Sequence, residues 1–274
     1  MIDPRTAIAF IGGGNMASAI IGGLLQQGTP AASIDVVEPL PAARQALVDK
    51  YQVRAHEQAG EFLRNAGLVV WAVKPQIFKE VALALAPTVG QALHLSVAAG
   101  IASDSIAQWL GNERIARAMP NTPALIGLGM TGLYARPTVN AAERQQIERI
   151  ATAVGDAVWV EREQLLEAVT AVSGSGPAYF FYVLEAMTDA GEALGLSREQ
   201  AYRLAVQTAR GASELARQSD EPAELLRQRV TSKGGTTHEA ISTLEAGGLK
   251  PLFAKAMQAC ARRARELGEE FGKG

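Results

Sequence analysis

The sequence predicts an α/β domain with a largely parallel sheet, followed by an all-helical domain. Three observations predict it. Short apolar runs alternate with amphipathic stretches through the first part of the chain, a glycine-dense turn joins the first of these runs to the first helical stretch, and beyond Glu161 no strand pattern is left. A chain of 274 residues is long for a single core, which agrees with two domains. The expected division is 1–162 and 163–274.

Taken in order, residues 7–11 read as a buried strand and 15–27 as a helix ended near Gly28. A second strand at 34–37 precedes a helix at 41–51. Further strands are expected at 68–73, 93–98, 115–119 and 132–135, with helical stretches between most of them, and 157–160 closes the sheet. The rest reads helical: 164–172, 177–194, 198–218, 222–229, 237–245 and 251–267. Pro177, Pro222 and Pro251 stand at helix starts, where a missing N–H costs nothing. Ser197-Arg198-Glu199-Gln200 has the form of a capping box.

Several of these helices are Ala-rich with apolar positions on more than one face, most clearly PAYFFYVLEAMTDAGEAL at 177–194. A small helical domain cannot bury that many faces by itself. The expectation is a homodimer through the helical domain; a tight monomeric bundle is the alternative.

Composition narrows the function. Net charge is −2 and 48% of residues are hydrophobic, so nothing points to nucleic acid or an anionic membrane surface. Arg262, Arg263 and Arg265 cluster on one late helix and read as a solvated face. Cys260 is the only cysteine, which excludes an intrachain disulfide and a thiolate metal cluster. The first residues, with Pro4 and Arg5, lack the apolar run of a signal peptide, and no segment has the length and apolarity to cross a bilayer. A cytoplasmic protein is expected.

Gly12-Gly13-Gly14-Asn15-Met16-Ala17 fits G-x-G-x-x-A between the first strand and first helix, the context of a Rossmann-type dinucleotide site. Gly12 permits the tight turn, Gly14 admits a pyrophosphate to the backbone, and Ala17 allows close helix–sheet packing. The second strand ends at Glu38. An acidic residue there commonly holds the ribose 2′-hydroxyl of NAD, although Arg44 could offset its charge towards a 2′-phosphate. Three more segments end strands on the same side: Val73-Lys74-Pro75, Ala98-Ala99-Gly100, and Asn121-Thr122 between two prolines. Alone, Lys74 reads equally as a surface lysine and Asn121-Thr122 as a rigid turn.

A second anion site is expected late in the chain. VTSKGGTTHEA, at 230–240, is a Ser/Thr/Gly-dense loop opening into a helix, where free backbone N–H groups and the positive helix end attract a small carboxylate. Thr236 and Glu239 also fit a capping box, a purely structural reading of Thr236. Of the three histidines, His56 and His94 read as structural. His238, in the first helical turn, is a candidate proton donor but reads better as a residue facing water.

Taken together, FIGGGNMA (10–17), WAVKPQ (71–76), SVAAGI (96–101), MPNTPA (119–124), SGSGPAY (173–179) and VTSKGGTTHEAI (230–241) resemble one family closely, the pyrroline-5-carboxylate reductases. The last two motifs are highly specific, and the set spans nearly the whole chain in family order. The resemblance implies NADPH- or NADH-dependent reduction of 1-pyrroline-5-carboxylate to L-proline, a helical domain that intertwines into a dimer, and often a larger assembly of dimers. It implies that Ser232, Gly235 and Thr236 hold the substrate carboxylate, largely through backbone N–H groups, with Gly234 also among the substrate-binding residues. Thr237 would place its hydroxyl beside the ring nitrogen, with Ser175 and Gly176 as a neighbouring wall. Gly12, Gly14, Asn15, Met16, Ala17, Glu38, Val73, Lys74, Pro75, Ala98, Ala99, Gly100 and Asn121 are the implied cofactor residues. Family members often carry proline at the position of Lys233, so loop stiffness and local charge differ here.

Reducing a C=N bond by hydride transfer asks little of the protein beyond orientation, which suits a chain poor in acid–base candidates. A β-hydroxyacid dehydrogenase shares the two-domain plan but needs a base near the alcohol. That family's catalytic lysine has no counterpart here, because residues 173–196 contain none. Another cyclic-imine reductase, or a nucleotide-binding module without turnover, stays open on the sequence alone.

Overall fold

A computed structural model describes residues 7–89 and 91–272. The reading of residues 1–6 as free of a signal peptide therefore lies outside the described residues. Among the described residues eight strands form one sheet in the order β3-β2-β1-β4-β5-β6-β7-β8. They are β1 (Ala7–Ile11), β2 (Ile34–Val37), β3 (Arg54–His56), β4 (Ala66–Trp71), β5 (Leu93–Ser96), β6 (Ile115–Met119), β7 (Gly129–Ala135) and β8 (Gly155–Trp159). All pairings are parallel except β6 with β7.

Helices α1 (Asn15–Gln26), α2 (Pro41–Tyr51), α3 (Pro75–Val89), α4 (Ser103–Leu110) and α5 (Ala141–Thr152) cross between the strands. Because they cover both faces, the central strands are apolar on both sides, as parallel sheets require. Ile8, Phe10, Val36, Leu68, Val70 and Leu95 build one core with Ile20, Ile21 and Leu24 of α1. Ala9, Ile11, Val69 and Trp71 build the other with Phe78, Leu85 and Ile106. Helix α1 lies so close to the end of α5 that a Cβ on Gly23 would sit 2.1 Å from the Ala153 carbonyl oxygen.

The remaining helices are α6 (Leu165–Val169), α7 (Gly176–Ala193), α8 (Arg198–Gln218), α9 (Ala223–Arg229), α10 (Thr236–Ala246) and α11 (Leu249–Gly272). A π-helical turn, Thr170–Gly174, joins α6 to α7. By packing, Pro177–Gln258 forms one compact unit, and the sheet forms another together with the stretch up to Gly176 and Ala259 onwards. A single helix, α11, thus belongs to both. The fold is a Rossmann-type α/β domain followed by a helical domain, as the sequence predicts.

The differences are local. Strand β3 was not expected, since Arg54-Ala55-His56 is short and polar; it is held by Asp35 on β2, whose carboxylate receives two Arg54 hydrogen bonds (2.9 and 2.6 Å) and lies 2.8 Å from His56 Nε2. Strands β4 and β5 stop two residues before the expected Val73 and Ala98, because the ladder ends where the chain turns into the site loops. The Ser197–Gln200 capping box is present in both directions. The Thr236–Glu239 one is absent: Gly234 turns the chain with φ +71°, Gly235 becomes the extended N-cap, and Thr236 is already the first helical residue.

Candidate active site

Strand order reverses at β1, which pairs with β2 on one side and β4 on the other. In such sheets the crevice beyond the strand ends at this point receives the ligand. The glycine loop stands there. Gly12 has φ +97°, and a Cβ on it would lie 2.6 Å from the Ala72 carbonyl oxygen, so only glycine lets the β1 and β4 ends meet this closely. Gly14 is the exposed N-cap of α1; a Cβ placed on it would meet nothing within 4 Å, and no side chain caps the helix. Asn15 is exposed, Met16 half-buried and Ala17 fully buried against the sheet. The first-turn amides of α1 thus face open space, as an incoming phosphate requires.

Glu38 is 8% exposed, and both its carboxylate oxygens are in use. Oε2 accepts from Gly13 N at 2.9 Å and Oε1 from Leu40 N at 2.9 Å. Its first task is to hold the glycine loop against the end of β2. Arg44 donates to the Glu38 and Pro39 carbonyls at 2.8 and 3.0 Å, which closes the same corner.

Val73 and Pro75 are half-buried beside the glycine loop, and Lys74 is exposed. Ala98 is buried, Ala99 exposed and Gly100 left-handed at φ +80°. The last turns of α11 press on that segment: a Cβ on Gly268 would meet the Gly100 carbonyl oxygen at 2.8 Å. Beyond it, Glu163 accepts from the Ser103 amide and hydroxyl, both at 2.6 Å, and from Arg117 at 2.7 Å. Asn121 behaves differently. Its carboxamide is turned onto the protein, accepting from Met130 N at 2.9 Å and donating to Ser173 O at 3.1 Å.

Ser175 follows the π turn; its amide donates to Thr170 O at 2.8 Å, and its hydroxyl accepts from Cys260 Sγ at 3.3 Å. Gly176 is buried. In the helical unit, Ser232, Lys233 and Gly234 are exposed and Gly235 is half-buried. The Gly235 amide closes the turn on Ser232 O at 3.0 Å, and a Cβ on Gly235 would meet Ser232 Oγ at 2.9 Å. No side chain caps α10, so the amides of Thr236, Thr237 and His238 have no acceptor within the helix. Both threonines are exposed, and His238 faces outward 3.5 Å from Glu239. What the sequence did not reveal is the π turn, the Asn121 clamp and the Glu163 staple. The clamp and the staple join residues more than forty positions apart, and the π turn, though local, has no residue pattern of its own.

Residues 163–267 match the family described as pyrroline-5-carboxylate reductase dimerisation, and 7–100 match the NADP oxidoreductase, coenzyme F420-dependent family. The pyrroline-5-carboxylate reductase of Pseudomonas aeruginosa is 49% identical over the whole of both chains. The chain belongs to the pyrroline-5-carboxylate reductase family. A pyrroline-5-carboxylate reductase structure from Coxiella burnetii superposes with a TM-score of 0.92 at 41% identity, covering 96% of this chain and 98% of that one. A Plasmodium falciparum pyrroline carboxylate reductase solved with NADP bound gives 0.84 at 27% identity, over 97% and 99% of the chains. Family membership thus accounts for both halves of the molecule, the glycine-loop sheet and the helical unit. Among the described residues no helix is long and apolar enough to cross a membrane.

Proposed function

We propose that the chain reduces 1-pyrroline-5-carboxylate to L-proline with NADPH or NADH, the last step of proline biosynthesis. Full-length identity of 49% to a reductase of that name carries the reading, and the uncapped, exposed loop at 232–237 supports it.

The glycine loop fits a dinucleotide on structural grounds. The cradle is closed to side chains at Gly12 and open at Gly14, with free amides at the start of α1. Gly12, Gly14, Asn15, Met16 and Ala17 would hold the pyrophosphate, with Glu38 at the ribose. Val73, Lys74, Pro75, Ala98, Ala99 and Gly100 would line the nicotinamide half. When bound, the reduced nicotinamide supplies the hydride. The protein's own residues bind and orient. Backbone amides at Ser232 and Thr236 would hold the carboxylate, with Gly234 and Gly235 shaping the loop (the Gly235 amide is spent on Ser232 O); the Thr237 hydroxyl would fix the ring nitrogen, and Ser175 with Gly176 would form a wall. A protonated imine is already electrophilic, so no strong general acid is needed.

The helical unit supports a homodimer. Phe180, Phe181 and Tyr182 of α7 are 62%, 59% and 73% exposed, far more aromatic surface than a monomer leaves wet, and the family match here is to a dimerisation domain. That match begins at residue 163, which supports a domain division at 162/163. A cytoplasmic location is proposed with the biosynthetic role.

The test is NADPH or NADH absorbance decay with racemic pyrroline-5-carboxylate, with L-proline as product. Folded protein that consumes neither cofactor overturns the reading, and turnover only of another cyclic imine redirects it. Comparing the two cofactors' affinities tests Glu38: a large NADPH preference would show that its carboxylate serves the loop rather than the ribose.

A further inference from the structure

We propose that Asn121 is a positioning residue, whose side chain fixes the π-helical turn and thereby sets Ser175 and Gly176 at the head of α7. The inference rests on the substrate-wall reading of those two residues.

The geometry is a closed ring. Asn121 Oδ1 accepts from Met130 N at 2.9 Å, and its Nδ2 donates to Ser173 O at 3.1 Å and lies 3.3 Å from Ser173 Oγ. Ser173 Oγ in turn donates to Met130 O at 3.4 Å. One carboxamide therefore ties the turn after β6, the start of β7 and the π turn together. Its acceptor and its donor group are both committed to the protein.

The bond to Ser173 O matters because of where it falls. In the π turn the Ser175 amide reaches back five residues to Thr170 O at 2.8 Å. Carbonyls in such a turn lose their regular partners, and the turn persists only where its surroundings over-determine it. Asn121 supplies a donor to one of those carbonyls from outside the helix. In the α register Ser173 O would look to the amide of residue 177, which is a proline without an N–H, so without Asn121 that carbonyl has no donor and the turn is free to change register. Each residue of register rotates the following chain by about 100° and shifts it by about 1.5 Å along the axis. Ser175 would then leave Cys260 Sγ, its present partner at 3.3 Å, and Gly176 would turn with it.

The experiment uses Asn121→Asp, which keeps the acceptor for Met130 N but cannot donate to Ser173 O when ionised, and Asn121→Ser, which is too short for either bond. For each full-length variant, kcat and KM for pyrroline-5-carboxylate, the Kd for NADPH, Tm, and amide hydrogen exchange of residues 173–176 are measured. The expected result is a fall of ~10–100-fold in kcat/KM for pyrroline-5-carboxylate, the scale of an ångström-size misplacement, with Kd for NADPH unchanged and exchange accelerated at 173–176. A weakened NADPH Kd with an unchanged KM for the imine would make Asn121 a cofactor contact and overturn the proposal. So would a lowered Tm with intact kinetics, or failure of both variants to fold, each of which makes the residue purely structural. If the wild type does not reduce the imine, the functional reading fails by itself; exchange at 173–176 then decides whether Asn121 holds the turn.

Discussion

Acid should destabilise this protein through one buried ring, His94. The side chain is fully buried on β5; Trp71 Nε1 donates to its Nδ1 at 3.1 Å, and its Nε2 has no partner among the described residues. Burial, with the Arg114 charge nearby, pushes its pKa down to about 3 from 6.5. A depressed folded value means that the unfolded chain binds the proton first. Stability is therefore complete above the unfolded value and is lost as pH falls towards the folded one. Between pH 6.5 and roughly pH 5 the loss is about 2 kcal/mol, at about 1.4 kcal/mol per unit. The perturbation is His94→Asn, which keeps an acceptor near Trp71 but cannot titrate. Urea unfolding of both proteins at pH 7 and pH 5, at one fixed protein concentration because subunit association contributes, gives the comparison. The wild type should lose about 2 kcal/mol more than the variant over that interval. Parallel losses would refute the argument and show that the ring accepts a proton in the folded state.

Three further outcomes are expected. Gly12→Ala puts a Cβ 2.6 Å from a backbone oxygen at a φ of +97°; it should cost ~1–2 kcal/mol of stability from the left-handed conformation alone and abolish measurable dinucleotide binding by fluorescence titration. Thr237→Ala, at an exposed position, should lower kcat/KM for the imine by ~10-fold or more, the worth of a hydrogen bond to a charged group, while Tm stays put; an unchanged kcat/KM would remove that hydroxyl from the mechanism. Phe181→Asp on the exposed face of α7 should raise the dimer dissociation constant by at least ~10-fold, on a burial value of about 1.5–3 kcal/mol; sedimentation at micromolar protein checks it, and an unaltered dimer would place the interface elsewhere.

Much of the architecture could be read directly because its causes are local. Residues 7–11, 34–37 and 41–51 have the observed limits, since their apolar period and flanking Gly, Pro and Glu act within a few residues. What escaped has distant causes. Arg54 and His56 become a strand because Asp35 gathers them; burial raises the Asp35 pKa, but the hydrogen bonds from Arg54 and His56 outweigh it and hold the carboxyl below its usual range. Helix α11 was expected to end at 267 but runs to Gly272, because Gly268 can lie on Gly100 where a larger residue would collide. The site loops were legible as motifs, yet their uses were only half so. The motif does not show that the Glu38 carboxylate also accepts from Gly13 N and Leu40 N and so holds the loop. Asn121 was expected to face the cofactor, and it grips Ser173 instead. Motif spacing shows which residues gather, while the direction of each polar group is decided by whichever partner the tertiary fold delivers.

The way α11 finishes has a practical corollary. Helix ends usually fray, but here Gly268 abuts Gly100, Phe271 packs against the core and the Gly272 carbonyl receives the Ser105 hydroxyl at 3.3 Å. Removing that helical turn takes a buttress from Ala98–Gly100, the segment proposed to line the nicotinamide half of the cofactor.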